Sequence, residues 1–172
     1  MARMQLSFTS AERENFEKMY VAHLNEISAI VGEEPDIPEN IQKSLKDIFK
    51  KNSKVHVTAG NDFFCVYHKI HHLFYIINLY VKPESRRKGI GKKILNHLIG
   101  GYGSQARAQF LLSPNTPAAL SFYKSLGFTE IYPFINDKCK WLARDFKPKE
   151  GLIISVVCQE INRFKTHRIY GV

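Results

Sequence analysis

Apolar residues recur at helical spacing through the opening part of the chain. Phe16, Met19, Tyr20, Leu24, Ile27 and Val31 share one face of a predicted helix. Thr9 and Glu12 stand ahead of it in the spacing of a capping box, and Gly32 supplies a stop. After the turn-rich "EEPDIP", Ile41, Leu45, Ile48 and Phe49 mark a second, shorter helix that closes in the polar run "KKNSK". "MQLSF" at the start reads as a short strand.

The period then changes. "KVHVTA" alternates and is β-branched, "GND" signals a hairpin, and "FFCVYHKI" reads as the return strand. "HHLFYIINLYV" is apolar except for Asn78, the pattern of a central strand covered on both faces. Ile90, Ile94, Leu95, Leu98 and Ile99 give a helix, and "AQFLLS" another strand. Thr116 is a good N-cap, Pro117 a good first residue and Gly127 a good stop for the helix "AALSFYKSL". "FTEIYPF" and "CKWLARDF" read as closing strands around "INDK". The tail "GLIISVVCQEINRFKTHRIYGV" fits strand or helix. The expected class is mixed α+β, a single domain around one sheet.

Composition narrows the classes. With 172 residues, 44% apolar and 24% charged, the chain is that of a soluble globular protein. Cys65, Cys139 and Cys158 have no metal-ligand spacing and an odd count, so neither a zinc site nor a disulfide framework is expected. Met1 to Thr9 lacks an apolar core, and no segment approaches the ~18 apolar residues of a membrane span. No secretory signal and a cytoplasmic location are therefore expected. Twenty-five Lys and Arg against sixteen Asp and Glu leave a formal net charge of +9, which favours anionic partners without naming them.

Candidate chemistry concentrates in "LYVKPESRRKGIGKKILNHLI", Leu79 to Ile99. An apolar strand ends at a Pro-Glu turn. Arg86, Arg87 and Lys88 follow, then Gly89-Ile90-Gly91, then Lys92 and Lys93 on a helix. Free N–H groups and the macrodipole make a helix start an anion site. Glycines let its backbone approach a bulky oxyanion. The alternative is a solvated cationic face beside strand-ending glycines. The spacing is neither a Walker A loop nor GxGxxG after a short strand turn.

Arg86 to Gly91 resembles the R/Q-x-x-G-x-G/A signature of the GNAT superfamily of N-acetyltransferases. "NTPAALSFYKSLGF", Asn115 to Phe128, resembles that family's second motif, N-x-x-A-x-x-x-Y-x-x-x-G-F. The resemblance implies a mostly antiparallel twisted sheet, splayed at the cofactor site and flanked by helices. Residues 1–53 would line the acceptor site, 54–146 would carry the sheet and cofactor motifs, and 147–172 would be a C-terminal extension.

By resemblance, the backbone of Leu79, Tyr80 and Val81 would pair with the pantetheine arm of acetyl-CoA. Arg86, Arg87, Lys88, Gly89, Ile90, Gly91 and Lys92 would hold its pyrophosphate, with Arg86 or Lys88 a candidate for the 3′-phosphate. Many family members have a small residue where this chain has Arg87. Asn115 would bond the arm, Phe122 would line it, and Tyr123 would act on the departing thiolate. Transfer to a primary amine would be direct and without a metal. A backbone N–H, of Val81 or Tyr80, would polarise the carbonyl. No glutamate stands on the central strand before Leu79, leaving His71, His72 or ordered water to take the proton. Glu26 and Glu33 lie where the acceptor is commonly lined. A small amine, a peptide or protein, and aminoacyl-tRNA all fit as acceptor, and a homodimer is compatible. The alternative function is an acyl-CoA-binding or interaction module of the same fold with weak chemistry.

Overall fold

Thr9 starts the first helix by the mechanism its spacing predicts. Its Oγ1 accepts from the Glu12 N–H at 3.2 Å, and Glu12 Oε2 accepts from the Thr9 N–H at 2.8 Å. Helix α1, Ser10–Val31, ends at Gly32, whose φ of 72° suits a residue without Cβ. In this computed structural model the described residues are 8–32, 34, 37–50, 55–70, 73–103, 109–112, 116–131 and 141–144. Met4 to Ser7 of the strand expected at "MQLSF" and the tail from residue 145 lie outside them. Thr9→Ala removes a helix cap and should cost about 1 kcal/mol. At ~2–4 °C per kcal/mol for a chain of this size, a thermal melt should show a drop of that order. An unchanged midpoint would mean that α1 does not depend on its cap.

Helix α2, Pro38–Phe49, follows α1 and buries Ile41, Leu45 and Ile48. Strands β1, Val55–Ala59, β2, Phe63–Ile70, and β3, Leu73–Val81, form an antiparallel meander. The predicted "GND" hairpin closes through the Gly60 N–H, which donates to Phe63 O at 2.9 Å. A short 3₁₀ turn, Pro83–Ser85, leads to α3, Ile90–Gly103. Then come β4, Gln109–Leu112, α4, Pro117–Ser125, β5, Thr129–Ile131, and β6, Trp141–Arg144.

The six strands run in the order β1-β2-β3-β4-β6-β5. Among the described residues, the β3–β4 pair is parallel and the other four pairings are antiparallel. A mixed, mostly antiparallel sheet flanked by helices is therefore present, as expected.

Strand alternation sends β2 side chains to two cores. Phe64 and Val66 pack with Phe16, Tyr20, Leu24 and Leu45 of α1 and α2. Cys65 and Tyr67 pack with Leu95 and Leu98 of α3 and Tyr123 of α4. Phe16, Tyr20 and Phe64 are fully buried, each contributing about 1.5–3 kcal/mol by the usual transfer scale.

A bulge in β3 re-aims its far half. Val66 faces Asn78, but Tyr67 faces Ile76, so Ile77 is an extra residue. Before it, Phe74 and Ile76 join the α3–α4 core. After it, Tyr80 joins the α1–α2 core, while Leu79 packs on the α3–α4 side. The central strand is covered on both faces, as its run of apolar residues predicts.

Candidate active site

Among the described residues, no strand pairs with the side of Leu79 to Val81 that faces away from β2, and the sheet is open there. Pairing of β3 with β4 covers Leu73 to Tyr75 against Gln109 to Leu111, whereas pairing with β2 continues to Val81. The ladder's phase decides which peptide groups face the opening. The Lys82 N–H donates to Asp62 O at 2.8 Å, so residues two and four back along β3 also turn toward β2. Tyr80 thus directs its peptide groups at Phe64. Leu79 and Val81 direct theirs away from β2, toward the open side.

The chain then prepares a helix start. The Ser85 N–H donates to Lys82 O at 2.9 Å and the Arg86 N–H to Pro83 O at 3.2 Å. Arg87 has a φ of 62° and Gly89 one of 77°, both left-handed. At Arg87 this is a conformation glycine adopts freely, which gives a physical reason for a small residue in similar sequences. The Lys93 N–H donates to Gly89 O at 3.0 Å and closes the first turn of α3. Ile90, Gly91 and Lys92 therefore present N–H groups with no carbonyl ahead of them in the helix.

The two glycines have different causes. A Cβ on Gly89 would meet nothing within 4 Å, so only its φ demands glycine. A Cβ on Gly91 would lie 3.1 Å from Phe122 Cζ, so Gly91 lets α4 pack on the first turn of α3.

Helix α4 carries the second group of expected residues. Thr116 Oγ1 accepts from the Ala119 N–H at 3.0 Å, and Pro117 begins the helix. Its end is a Schellman arrangement: Gly127, at φ 84°, donates to Lys124 O, and the Phe128 N–H donates to Tyr123 O at 3.2 Å. Tyr123 is only 7% exposed and sits against Phe122 and Phe128 at 5.1 and 5.5 Å between ring centres. Burial, with a smaller contribution from Cys65, raises its phenol well above the ordinary tyrosine range, so the hydroxyl stays protonated at neutral pH. Burial alone pushes the Cys65 thiol up to about 12.

The fold thus packs Leu79, Ile90 and Phe122 on the core that holds Tyr123, with Gly91 against Phe122 and Arg87 to Lys92 at the adjoining start of α3. Arg86 points elsewhere. Its Nε donates to Val81 O at 2.9 Å and its Nη2 to Glu26 of α1 at 2.5 Å. Asn115, His71, His72 and Glu33 lie outside the described residues.

Two polar residues to which the sequence reading gave no role meet on the α1 face. Asn78 is 8% exposed, and its Nδ2 lies 3.1 Å from His23 Nε2. His23 packs between Phe64 and Tyr80, at 5.6 and 5.2 Å. Burial lowers its imidazole from 6.5 to about 4; Glu26 opposes this and Arg86 reinforces it. The neutral ring can then accept from Asn78. A signal for the pair exists in the sequence: Asn78 interrupts an apolar strand, and His23 lies on the apolar stripe of α1 at helical spacing from Phe16, Met19 and Tyr20.

A folded histidine with a lowered pKa stabilises the fold above its unfolded pKa and loses that contribution as pH falls. The wild type should therefore lose stability between about pH 6.5 and pH 4. The double variant His23→Phe/Asn78→Leu should lack this component and keep its stability at pH 7, because both partners become apolar together. Chemical denaturation across that range measures it. Parallel pH curves for the two proteins would refute the assignment to His23.

A family model described as an acetyltransferase (GNAT) domain matches residues 51–130. Among solved structures, the PaiA N-acetyltransferase of Thermoplasma acidophilum, in complex with coenzyme A, is similar at 16% identity and a TM-score of 0.60. The match covers 81% of this chain and 96% of that one. A GNAT-family acetyltransferase of Staphylococcus aureus matches at 18% identity and a TM-score of 0.59, covering 80% and 94%. An acetyltransferase of Thermus thermophilus matches at 12% identity and a TM-score of 0.64, covering 80% and 92%. At these identities the likeness is one of fold. No curated protein matches the sequence.

Proposed function

We propose, from the match of residues 51–130 to a GNAT acetyltransferase family model, that the protein moves an acetyl group from acetyl-CoA directly to a primary amine. One observation carries the reading. β3 runs on to Val81 after its pairing with β4 ends at Tyr75, and it leads straight into the glycine-bearing start of α3. An open strand edge and an amide cradle adjoin each other.

An amide-bearing pantetheine arm fits such an edge as an added strand does. Leu79 offers it its outward peptide groups, whereas the outward Val81 C=O is already held by Arg86 Nε at 2.9 Å and only the Val81 N–H stays on offer. Ile90, Gly91 and Lys92 offer N–H groups to the pyrophosphate, and Arg87, Lys88 and Lys92 add positive charge. The bound thioester supplies an activated acetyl carbonyl. The Val81 N–H donates to its oxygen as negative charge develops there. Tyr123, kept protonated by burial, donates a hydrogen bond to the departing thiolate, which then takes its proton from water. The amine arrives from the α1 face, where Asn78 and His23 lie. β3, "LFYIINLYV", carries no carboxylate, so the amine's proton leaves through water.

The missing carboxylate also favours one alternative, an acyl-CoA-binding module with weak chemistry. Two measurements separate the readings. Acetyl-CoA at a hundredfold excess over Kd should stabilise the protein by about 2.7 kcal/mol. Thiol release should then appear with a member of an amine panel of polyamines, amino acids, peptides and aminoacyl-tRNA. Stabilisation without amine-dependent release selects the module. No stabilisation at millimolar acetyl-CoA would sink both.

A further inference from the structure

Arg86 opens the segment read as a phosphate cradle, yet both ends of its bonding point away from that cradle. Its N–H is engaged by Pro83 O at 3.2 Å. Its guanidinium lies 5.7 Å over the Tyr80 ring, donates Nε to Val81 O at 2.9 Å, and pairs through Nη2 with Glu26 at 2.5 Å. Among the described residues, no carboxylate pairs with Arg87, Lys88, Lys92 or Lys93. Arg86 is thus set apart from the other cations of its segment.

We propose that Arg86 is a positioning residue for the open strand edge: it fixes the Val81–Lys82 peptide plane, anchored by Glu26 of α1, and does not bind the cofactor phosphates. The inference rests on the acetyl-CoA site proposed above.

The geometry gives the physical reason. A peptide plane at the end of an opened ladder has a partner on one side only. Here the Lys82 N–H is held by Asp62 O at 2.8 Å, and the Val81 C=O by Arg86 Nε at 2.9 Å. With both ends of that plane held, rotation about the Val81 Cα–C bond is restrained; the Val81 N–H, in the preceding Tyr80–Val81 plane whose carbonyl faces β2, then has a fixed plane on either side of it. That N–H is the group assigned to the thioester oxygen. A planar guanidinium can serve a carbonyl and a carboxylate at once, in a fork that an ammonium cannot reproduce. Glu26 lies sixty residues earlier in the chain. The fork therefore also ties the acceptor-side helix to the cofactor-side strand.

The experiment compares acetyl-CoA with S-acetyl-pantetheine, which lacks the phosphates, on the wild type and on Arg86→Gln, Arg86→Lys and Glu26→Gln. Binding is read by calorimetry or ligand-observed NMR, and turnover by thiol release. Arg86 and Glu26 are partly exposed at 41% and 34% of their side chains, so these variants should fold. Arg86→Gln should weaken both ligands by the same factor, about tenfold, leave the salt dependence of acetyl-CoA binding unchanged, and lower kcat. Arg86→Lys should behave like Arg86→Gln, because charge without the fork is insufficient. Glu26→Gln should show a smaller loss in the same proportion.

A loss confined to acetyl-CoA, with a shallower salt dependence and rescue by Arg86→Lys, would make Arg86 a phosphate ligand and overturn the proposal. Unchanged binding and turnover in Arg86→Gln would overturn it as well. A wild type that binds neither ligand refutes the acetyl-CoA site itself, whatever the variants do.

Discussion

Gly89→Asp should abolish the thermal stabilisation expected of acetyl-CoA on the wild type. The wild-type shift should be roughly 5–10 °C, from about 2.7 kcal/mol at a hundredfold excess over Kd and ~2–4 °C per kcal/mol. Gly89 holds φ 77° at the entry to α3, and its carbonyl receives the first helical bond from Lys93 at 3.0 Å. A Cβ there meets nothing within 4 Å, so aspartate fits sterically. The left-handed conformation costs aspartate about 1–2 kcal/mol, less than a β-branched residue would lose. Its carboxylate recovers part of this by capping the N–H groups of α3. Apo stability should then stay within a few degrees of wild type. The same carboxylate occupies the donors meant for pyrophosphate and repels its charge. A variant that melts normally and still responds to acetyl-CoA like the wild type would place the phosphates elsewhere.

Tyr123→Phe should lower kcat by ~10²–10³, the range that loss of one hydrogen-bond donor to developing charge costs, and leave the acetyl-CoA shift intact. The substitution keeps the ring, so contacts with Phe122 and Phe128 at 5.1 and 5.5 Å survive. Only the hydroxyl is removed. Burial holds that hydroxyl protonated far above neutral pH, so it acts as a donor to the leaving sulfur and never as a base. The deficit should therefore be the same from pH 6 to pH 9, a window well below the raised pKa. Thiol release at saturating acetyl-CoA measures it. Equal turnover of the two proteins would reduce Tyr123 to a packing residue.

Much of the local structure is legible from neighbouring residues alone. Thr9 with Glu12, Thr116 with Pro117, and Gly32 and Gly127 each mark a helix end, because a cap is a contact between residues a few positions apart. The threonine and glycine caps of α1 and α4 follow from that locality. The strands of the meander are legible for a similar reason: β1 and β2 are joined by a tight turn, and apolar runs set their length. The pairing of β6 between β4 and β5 is less legible, since it places a later strand inside the sheet. Nothing local distinguishes that order from a simple meander.

The candidate site divides the same way. Leu79 to Lys92 is a continuous stretch, and its residue types point to an oxyanion held at a helix start. Which groups are free to do so depends on partners far along the chain. Tyr80 turns its peptide groups to β2 because the ladder phase is set at Asp62 and Lys82. Arg86 turns to α1 because Glu26 waits there, sixty residues away. Asn78 and His23 meet across fifty-five residues. Gly91 serves the packing of Phe122, a residue on another helix.

By itself the sequence determined the helices and their caps, the apolar strands and the strand–glycine–helix passage where an anionic ligand would be received. These depend on hydrogen bonds and periodicities within a few residues. Only the tertiary structure decided that Ile77 is an extra residue in β3, that Leu79 and Val81 face the opening while Tyr80 does not, and that Arg86 braces the strand. Each is a matter of register or long-range pairing. A one-residue shift in register reverses every side chain and peptide direction along a strand without altering its local sequence.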